Sequence, residues 1–117
     1  MSQRMSQVTT HVLDLATGRP ASGVAVVLER LPADGGDDLR PERIAAARTG
    51  ADGRVADLGP GSLPEGVYRL RFDTSGVHGG GGFYPEIAIA FRLADGAQHY
   101  HVPLLLGPWG YTTYRGS

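Results

Sequence analysis

The chain has 117 residues, a net charge of −1 and a hydrophobic fraction of 41%, which suits one domain with a modest core. The small net charge gives no electrostatic basis for binding nucleic acid or an anionic membrane, and no apolar run is long enough to span a bilayer. The chain has no cysteine and no lysine, which excludes thiol nucleophiles, disulfides, Schiff bases and a P-loop lysine.

The first residues, 1–7, lack the apolar stretch of a secretory signal. We expect them to form a flexible lead-in to a single domain that spans residues 8–117. No linker or internal repeat divides that domain. With no targeting or membrane-spanning segment in the sequence, the default expectation for its location is the cytoplasm.

Glycine and proline break the remaining sequence into short segments, which is typical of all-β proteins. The segments with strand character are, in chain order, Val8–Leu15, Val24–Leu31, Arg43–Thr49, Val55–Leu58, Val67–Asp73, Glu86–Leu93, Gln98–Leu106 and Tyr111–Arg115. The sixth of them alternates clearly, because Ile87, Ile89, Phe91 and Leu93 share one face. Strands of this length and spacing predict a β-sandwich.

Evidence for helices is weak. The segment RPERIAAAR lies between turn sequences, so a strand within hairpins is the better prediction for it. Gly79–Gly82 must be a loop, because each glycine costs a helix about 1 kcal/mol relative to alanine. The sequence GGGGF is not a phosphate loop, since it has neither the lysine nor the strand–loop–helix context.

The histidines are the main candidates for chemistry. His99 and His101 point to one face of a predicted strand, and the residues between and after them form the apolar face. With His11 as a third ligand they would make a three-histidine zinc site. Histidines two positions apart often occur by chance, however, so the spacing alone favours surface histidines without a metal. The pattern around Arg54, just after a hairpin turn, likewise predicts only a solvated arginine.

Three stretches, taken in order, resemble the 5-hydroxyisourate hydrolases, the transthyretin-like enzymes of urate breakdown. They are TTHVLDLATGRPASGVAVVLER (9–30), TGADGR (49–54) and HYHVPLLLGPWGYTTYRGS (99–117), which ends in the Tyr-Arg-Gly-Ser typical of the family. The resemblance implies a transthyretin-like all-β sandwich of two four-stranded sheets. The family's short helix should be lost or reduced, because TSGVHGGGGF (74–83) is short and rich in glycine.

The resemblance implies a hydrolase, without cofactor or metal, that opens 5-hydroxyisourate to 2-oxo-4-hydroxy-4-carboxy-5-ureidoimidazoline. A histidine would take a proton from the attacking water, and an arginine would stabilise the developing negative charge. Which histidine is the base stays open. The resemblance also implies a homotetramer with its sites between dimers. It assigns catalysis to His11, Arg54, His101 and Ser117, and substrate binding to His11, Arg54, Tyr114, Arg115 and Gly116.

Two other functions are compatible with a β-sandwich. Transthyretin itself carries a hormone in the same fold, so the alternative is a small-ligand binding protein without catalysis. The matched histidines, arginine and terminal tetrapeptide favour the enzyme. An adhesion or carbohydrate-binding sandwich would need an exposed aromatic platform and an export signal, and the sequence indicates neither clearly.

Overall fold

Two β-sheets pack face to face in the structure, a computed structural model that describes residues 6–32, 40–94 and 97–116. The strands are β1 (Val8–Asp14), β2 (Arg19–Pro20), β3 (Ala25–Arg30), β4 (Glu42–Arg48), β5 (Arg54–Val55), β6 (Gly66–Asp73), β7 (Glu86–Leu93), β8 (Tyr100–Leu106) and β9 (Tyr111–Thr113). The helical structure in the described residues is a single 3-10 turn at Val77–Gly80. The prediction of an all-β sandwich is confirmed.

One sheet has the order β4-β3-β6-β7, and all its neighbours are antiparallel. The other has the order β2-β1-β8-β9, with β5 also paired to β1. This second sheet has five strands where four were predicted, because Arg19–Pro20, which lies outside the predicted strands, pairs with the end of β1. Strands β1 and β8 run parallel, which brings the two ends of the domain together.

Alternating residues of both sheets form the core. On β7 the predicted apolar face is confirmed, since Ile87, Ile89 and Leu93 are buried. Phe91 is only partly buried and packs at the margin of the core. On β8 the apolar positions between and after the histidines are buried as predicted, which leaves the histidines on the outer face of the five-stranded sheet.

The predicted lead-in needs a correction at its end. Residues 1–5 lie outside the described part of the chain, but Ser6 and Gln7 are buried and hydrogen-bonded. The Ser6 hydroxyl donates to the carbonyl of Gly59 at 2.9 Å, and the Gln7 side-chain oxygen accepts from the amide of Leu63 at 2.6 Å. These two residues are therefore packed against the segment that follows β5.

The glycine-rich segment contains a 3-10 turn, so the prediction that the family helix is lost or reduced is confirmed. His78 in this turn has a positive φ of 57°, a conformation that histidine tolerates better than most side chains. Its imidazole is nearly buried, and Nε2 lies 2.8 Å from Oδ1 of Asp14 at the end of β1. An ionised carboxylate only accepts, so Nε2 of His78 donates the hydrogen. His78 thus has a structural contact that ties the turn to the other sheet.

The contact between Asp14 and His78 predicts that the free energy of unfolding depends on pH in the acid range. Burial opposes ionisation of Asp14, but the hydrogen bonds from His78 and from the amide of Ala16 outweigh it, so the pKa of Asp14 is lowered from 3.8. When the pKa of a carboxyl is lower in the folded protein than in the unfolded chain, its ionised form stabilises the fold. This stabilisation is complete above the ordinary pKa and is lost as the pH falls through the lowered pKa.

Asp14→Asn is therefore expected to lower the free energy of unfolding at neutral pH by about 1.5–3 kcal/mol, because hydrogen bonds to charged groups contribute about that much. Once the pH has fallen below the lowered pKa of Asp14, the wild type and the variant should converge. Urea denaturation across this pH range measures the difference. The exposed Asp57→Asn is the matched control and should behave as the wild type. Equal stability of Asp14→Asn and wild type at neutral pH would show that the contact between Asp14 and His78 does not stabilise the fold.

Candidate active site

The outer face of the five-stranded sheet brings together three residues that are far apart in the sequence. His11 on β1 lies opposite Arg54 on β5, and Thr9, two residues earlier on β1, lies opposite His101 on β8. Paired residues project from the same face of a sheet, as do residues two apart on one strand. The side chains of His11, Arg54 and His101 therefore share the outer face.

A cleft of about 250 Å³ opens on this face. Its lining includes Thr9, Thr10, Arg54, Val55, Ala56, His99 and His101. An arginine and two imidazoles thus converge on one small space, and the floor is formed by strand residues of β1, β5 and β8. Such a set offers a fixed positive charge and groups that exchange protons near neutral pH.

His101 is the half-buried imidazole of this cleft. Its Nδ1 lies 2.8 Å from the hydroxyl of Thr9. Burial lowers the pKa of His101 below its usual value, and the charges of Arg54, His99 and His11 lower it further. The lowered pKa favours the neutral imidazole at neutral pH, which is the form that accepts a proton.

His11 sits beside the cleft rather than in its lining. Its ring packs against the turn before β5, where a Cβ on Gly53 would come within 2.5 Å of the carbonyl of Val12 and 3.3 Å of Cδ2 of His11. Gly53 also has a positive φ of 75°, so only glycine lets the turn approach this closely. Nε2 of His11 is buried without a hydrogen-bond partner among the described residues. Leaving such an atom without a hydrogen-bond partner costs about 1–3 kcal/mol.

The C-terminal segment returns to the cleft at Gly116. Its amide donates to the carbonyl of His101 at 2.7 Å. A Cβ at this position would lie 2.7 Å from Cδ2 of His101, so the glycine backbone packs directly on the imidazole. Ser117, which was predicted to take part in catalysis, lies outside the described residues.

Tyr114 and Arg115 also lie outside the lining of the cleft. Arg115 lies over the ring of Tyr100, 4.3 Å from its centroid, and donates to Oε1 of Gln98 at 2.9 Å. Tyr114 is 58% exposed. Both line a separate, mainly apolar depression of about 380 Å³ between β7 and β9. The backbone of the terminal segment thus approaches His101, but the side chains of these two residues do not.

Sequence reasoning missed Thr9 and His99 as members of the cleft. His99 was interpreted as a surface histidine, and Thr9 was not considered. Nε2 of His99 lies 3.0 Å from the hydroxyl of Thr9, so the two belong to the surroundings of His101. The spacing of two residues between Thr9 and His11 indicated that the two share one face of the strand. Which side chain Thr9 contacts depends, however, on the parallel register of β1 and β8.

No three His, Asp or Glu side chains group closely enough to hold a metal ion in residues 6–32, 40–94 and 97–116. Within the same residues, no helix is both long and apolar enough to cross a membrane. The groups that the site does offer are imidazoles, a guanidinium, a hydroxyl and backbone amides. They can bind a polar planar molecule, move protons and stabilise negative charge.

The fold and this face define a transthyretin-like sandwich with a histidine–arginine cleft. The profile of the HIUase/Transthyretin family matches residues 8–116, and the chain belongs to that family. The 5-hydroxyisourate hydrolase of Mus musculus is 42% identical and is matched over 100% of both chains. The resemblance seen in the sequence is therefore confirmed.

Solved structures agree with the fold. The 5-hydroxyisourate hydrolase of Klebsiella pneumoniae superposes with a TM-score of 0.77 at 36% identity, covering 94% of this chain and 98% of that one. Sea bream transthyretin in complex with thyroxine superposes with a TM-score of 0.82 at 33% identity, covering 94% of each chain. Because a hydrolase and a thyroxine-binding protein both fit this well, the overall fold does not discriminate between them.

Proposed function

We propose that the chain hydrolyses 5-hydroxyisourate and opens its six-membered ring to give 2-oxo-4-hydroxy-4-carboxy-5-ureidoimidazoline. The observation that carries this proposal is the convergence of His101 and Arg54 on one cleft. A second support is that relatives aligned over the whole chain, such as the mouse protein at 42% identity, are named 5-hydroxyisourate hydrolase. The proposed reaction belongs to urate breakdown in the cytoplasm, carried out by one domain that includes residues 8–117.

The product defines the bond that breaks. Its new carboxyl and ureido groups require that water adds to a ring carbonyl and that the bond from this carbon to a ring nitrogen breaks. The hydroxyl of water ends on the carbon and its remaining proton on the nitrogen. The reaction therefore needs a base for the water, a positive charge for the oxyanion and an acid for the leaving nitrogen. It requires neither a metal nor a cofactor.

We assign the base to His101, because it lines the cleft and its lowered pKa favours the neutral form. The proton that it takes from water can then pass to the leaving nitrogen. Arg54 would face the oxyanion and the polar edge of the substrate, since its planar fork and permanent charge suit both. His11, beside Arg54 and with an unpartnered Nε2, would hydrogen-bond the substrate or assist the proton transfer.

The residues of the terminal tetrapeptide have different roles in this proposal. Gly116 shapes the site by packing on His101. Tyr114, Arg115 and Ser117 stay predictions for substrate binding or catalysis. The bond from Arg115 to Gln98 would have to open before its guanidinium reached the cleft.

We also propose a homotetramer with its sites between dimers. The cleft opens on the outer face of the five-stranded sheet, where a second copy would cover it. The structure also contains an exposed aromatic cluster that the sequence did not indicate, formed by Phe83, Tyr84, Trp109 and Tyr111. It adjoins β9, the edge strand of the five-stranded sheet, and exposed apolar patches favour contact between subunits.

The function is tested with freshly generated 5-hydroxyisourate, whose decay is followed by ultraviolet absorbance. We expect decay faster than the spontaneous rate and proportional to the protein concentration. The alternative, a transthyretin-like binding protein without catalysis, predicts decay at the spontaneous rate together with saturable binding of a small ligand. That combination would remove the hydrolase from consideration.

Gly116→Ala tests the contact between the C-terminal segment and His101. The new Cβ would meet the imidazole at 2.7 Å, so the ring or the terminal strand must move. A displacement of about 1 Å in a catalytic group can lower the rate about 100-fold, and we expect a loss of at least about tenfold in kcat. Gly110→Ala, where a Cβ would have open space, is the control and should retain full activity. Equal kcat values for the two variants would show that Gly116 does not position His101.

A further inference from the structure

The hydroxyl of Thr9 lies between two imidazoles. Its oxygen is 2.8 Å from Nδ1 of His101 and 3.0 Å from Nε2 of His99. The two rings are nearly parallel, with centroids 6.4 Å apart and planes inclined by 23°. Thr9 is only 6% exposed, so its hydroxyl has few alternatives to these partners.

A hydroxyl carries one hydrogen and two lone pairs, so it can donate to one imidazole and accept from the other. When it accepts from Nδ1–H of His101, Nε2 of that ring holds the lone pair and can act as a base. When it donates to Nδ1, Nε2 carries the hydrogen and cannot accept a proton. The orientation of one hydroxyl therefore decides which chemistry His101 can perform.

We propose that Thr9 is a positioning residue that holds His101 in its Nδ1–H form and, through the same hydroxyl, couples it to His99. This inference rests on the proposed function, in which Nε2 of His101 takes the proton from water. In the resting arrangement, Nδ1–H of His101 donates to Thr9, and Thr9 donates to Nε2 of His99. Nε2 of His101 is left for the cleft.

The hydrogen bond between His101 and Thr9 also suits the state that follows proton transfer. After Nε2 accepts the proton, the imidazolium still donates Nδ1–H to Thr9, so no hydrogen bond has to break. The positive groups around His101 make this support important. Arg54 from β5, His11 from β1 and His99, which directly precedes β8, all disfavour the imidazolium. An acceptor on Nδ1–H opposes them, as carboxylates and carbonyls do beside other functional histidines.

The test compares Thr9→Val, which keeps the shape and removes the hydroxyl, with Thr9→Ser, which keeps the hydroxyl. Loss of one hydrogen bond is worth about 0.5–1.5 kcal/mol, so we expect Thr9→Val to lower kcat about 3- to 10-fold. KM should change less than kcat, because the hydroxyl acts on the base and not on the substrate. Thr9→Ser should restore most of the rate, which a role in packing alone would not predict.

A second readout does not depend on activity. Nitrogen-15 NMR of the imidazoles distinguishes Nδ1–H from Nε2–H, and the signals of His101 are assigned from their absence in His101→Asn. We expect neutral His101 to be the Nδ1–H form in the wild type and to lose this preference in Thr9→Val. His99→Gln, which removes the second imidazole, should weaken the same preference.

The wild-type spectrum alone can overturn the inference. Neutral His101 in the Nε2–H form would do so even if Thr9→Val failed to fold. Wild-type kcat in a folded Thr9→Val variant with an unchanged tautomer would do so as well. A wild type that does not hydrolyse 5-hydroxyisourate would instead refute the proposed function, and the spectrum would still show whether Thr9 sets the tautomer.

Discussion

His101→Asn is expected to lower kcat for ring opening by about 100-fold or more, the usual range for loss of an acid–base group. Asparagine has no nitrogen that takes a proton near neutral pH, but it is compact and can keep a hydrogen bond with Thr9. The fold should therefore survive. Stopped-flow absorbance with excess substrate measures kcat, and circular dichroism checks the fold.

The matched control is His78→Asn. That imidazole contacts Asp14 at the end of β1 and has no place in the cleft. The control should lose stability and keep its rate at temperatures well below its melting temperature. A His101→Asn variant that is folded and within a few-fold of the wild-type rate would remove His101 from the proposed mechanism.

Arg54→Gln is expected to lower kcat/KM about 100- to 1,000-fold, the range measured when one donor to an oxyanion is removed. It should also change the dependence on pH. Burial is the first cause of the lowered pKa of His101, and the charge of Arg54 is the next. Without that charge the imidazolium is less disfavoured, so the pKa of His101 rises. The acid limb of the profile of kcat/KM against pH should then move to higher pH.

Arg19→Gln is the control for the arginine variant. Arg19 is exposed on β2 of the same sheet and does not line the cleft. Its loss removes the same charge from the chain and should leave both the rate and the pH profile unchanged. A profile of Arg54→Gln that keeps its wild-type midpoint would contradict the electrostatic link between Arg54 and His101.

The pattern of the strands predicted most of the fold, because burial on one face imposes an alternation that is visible in the sequence. Strand β7 begins and ends where the alternation does. The short strand β2 was not predictable in this way, since Arg19–Pro20 has no alternation and pairs only through its backbone. Packing of Ser6 and Gln7 was missed for a similar reason, because polar residues are buried here by hydrogen bonds to distant loops.

The site was predictable only in part. Motifs indicated His11, Arg54 and His101, and the structure puts them on one face. The role of Thr9 depends on the pairing of strands whose residues are 92 positions apart, which no local pattern reveals. The orientation of the Arg115 side chain could not be predicted either, because its stacking on Tyr100 depends on the path of the terminal segment in the fold.

The most direct test of the proposed function is a time course of 5-hydroxyisourate in large excess over the protein, with wild type and His101→Asn measured side by side. We predict that the wild type consumes many equivalents of substrate before spontaneous decay contributes, and that the variant follows the spontaneous rate closely. Decay at the spontaneous rate with folded wild-type protein would contradict the assignment of this cleft as a catalytic site.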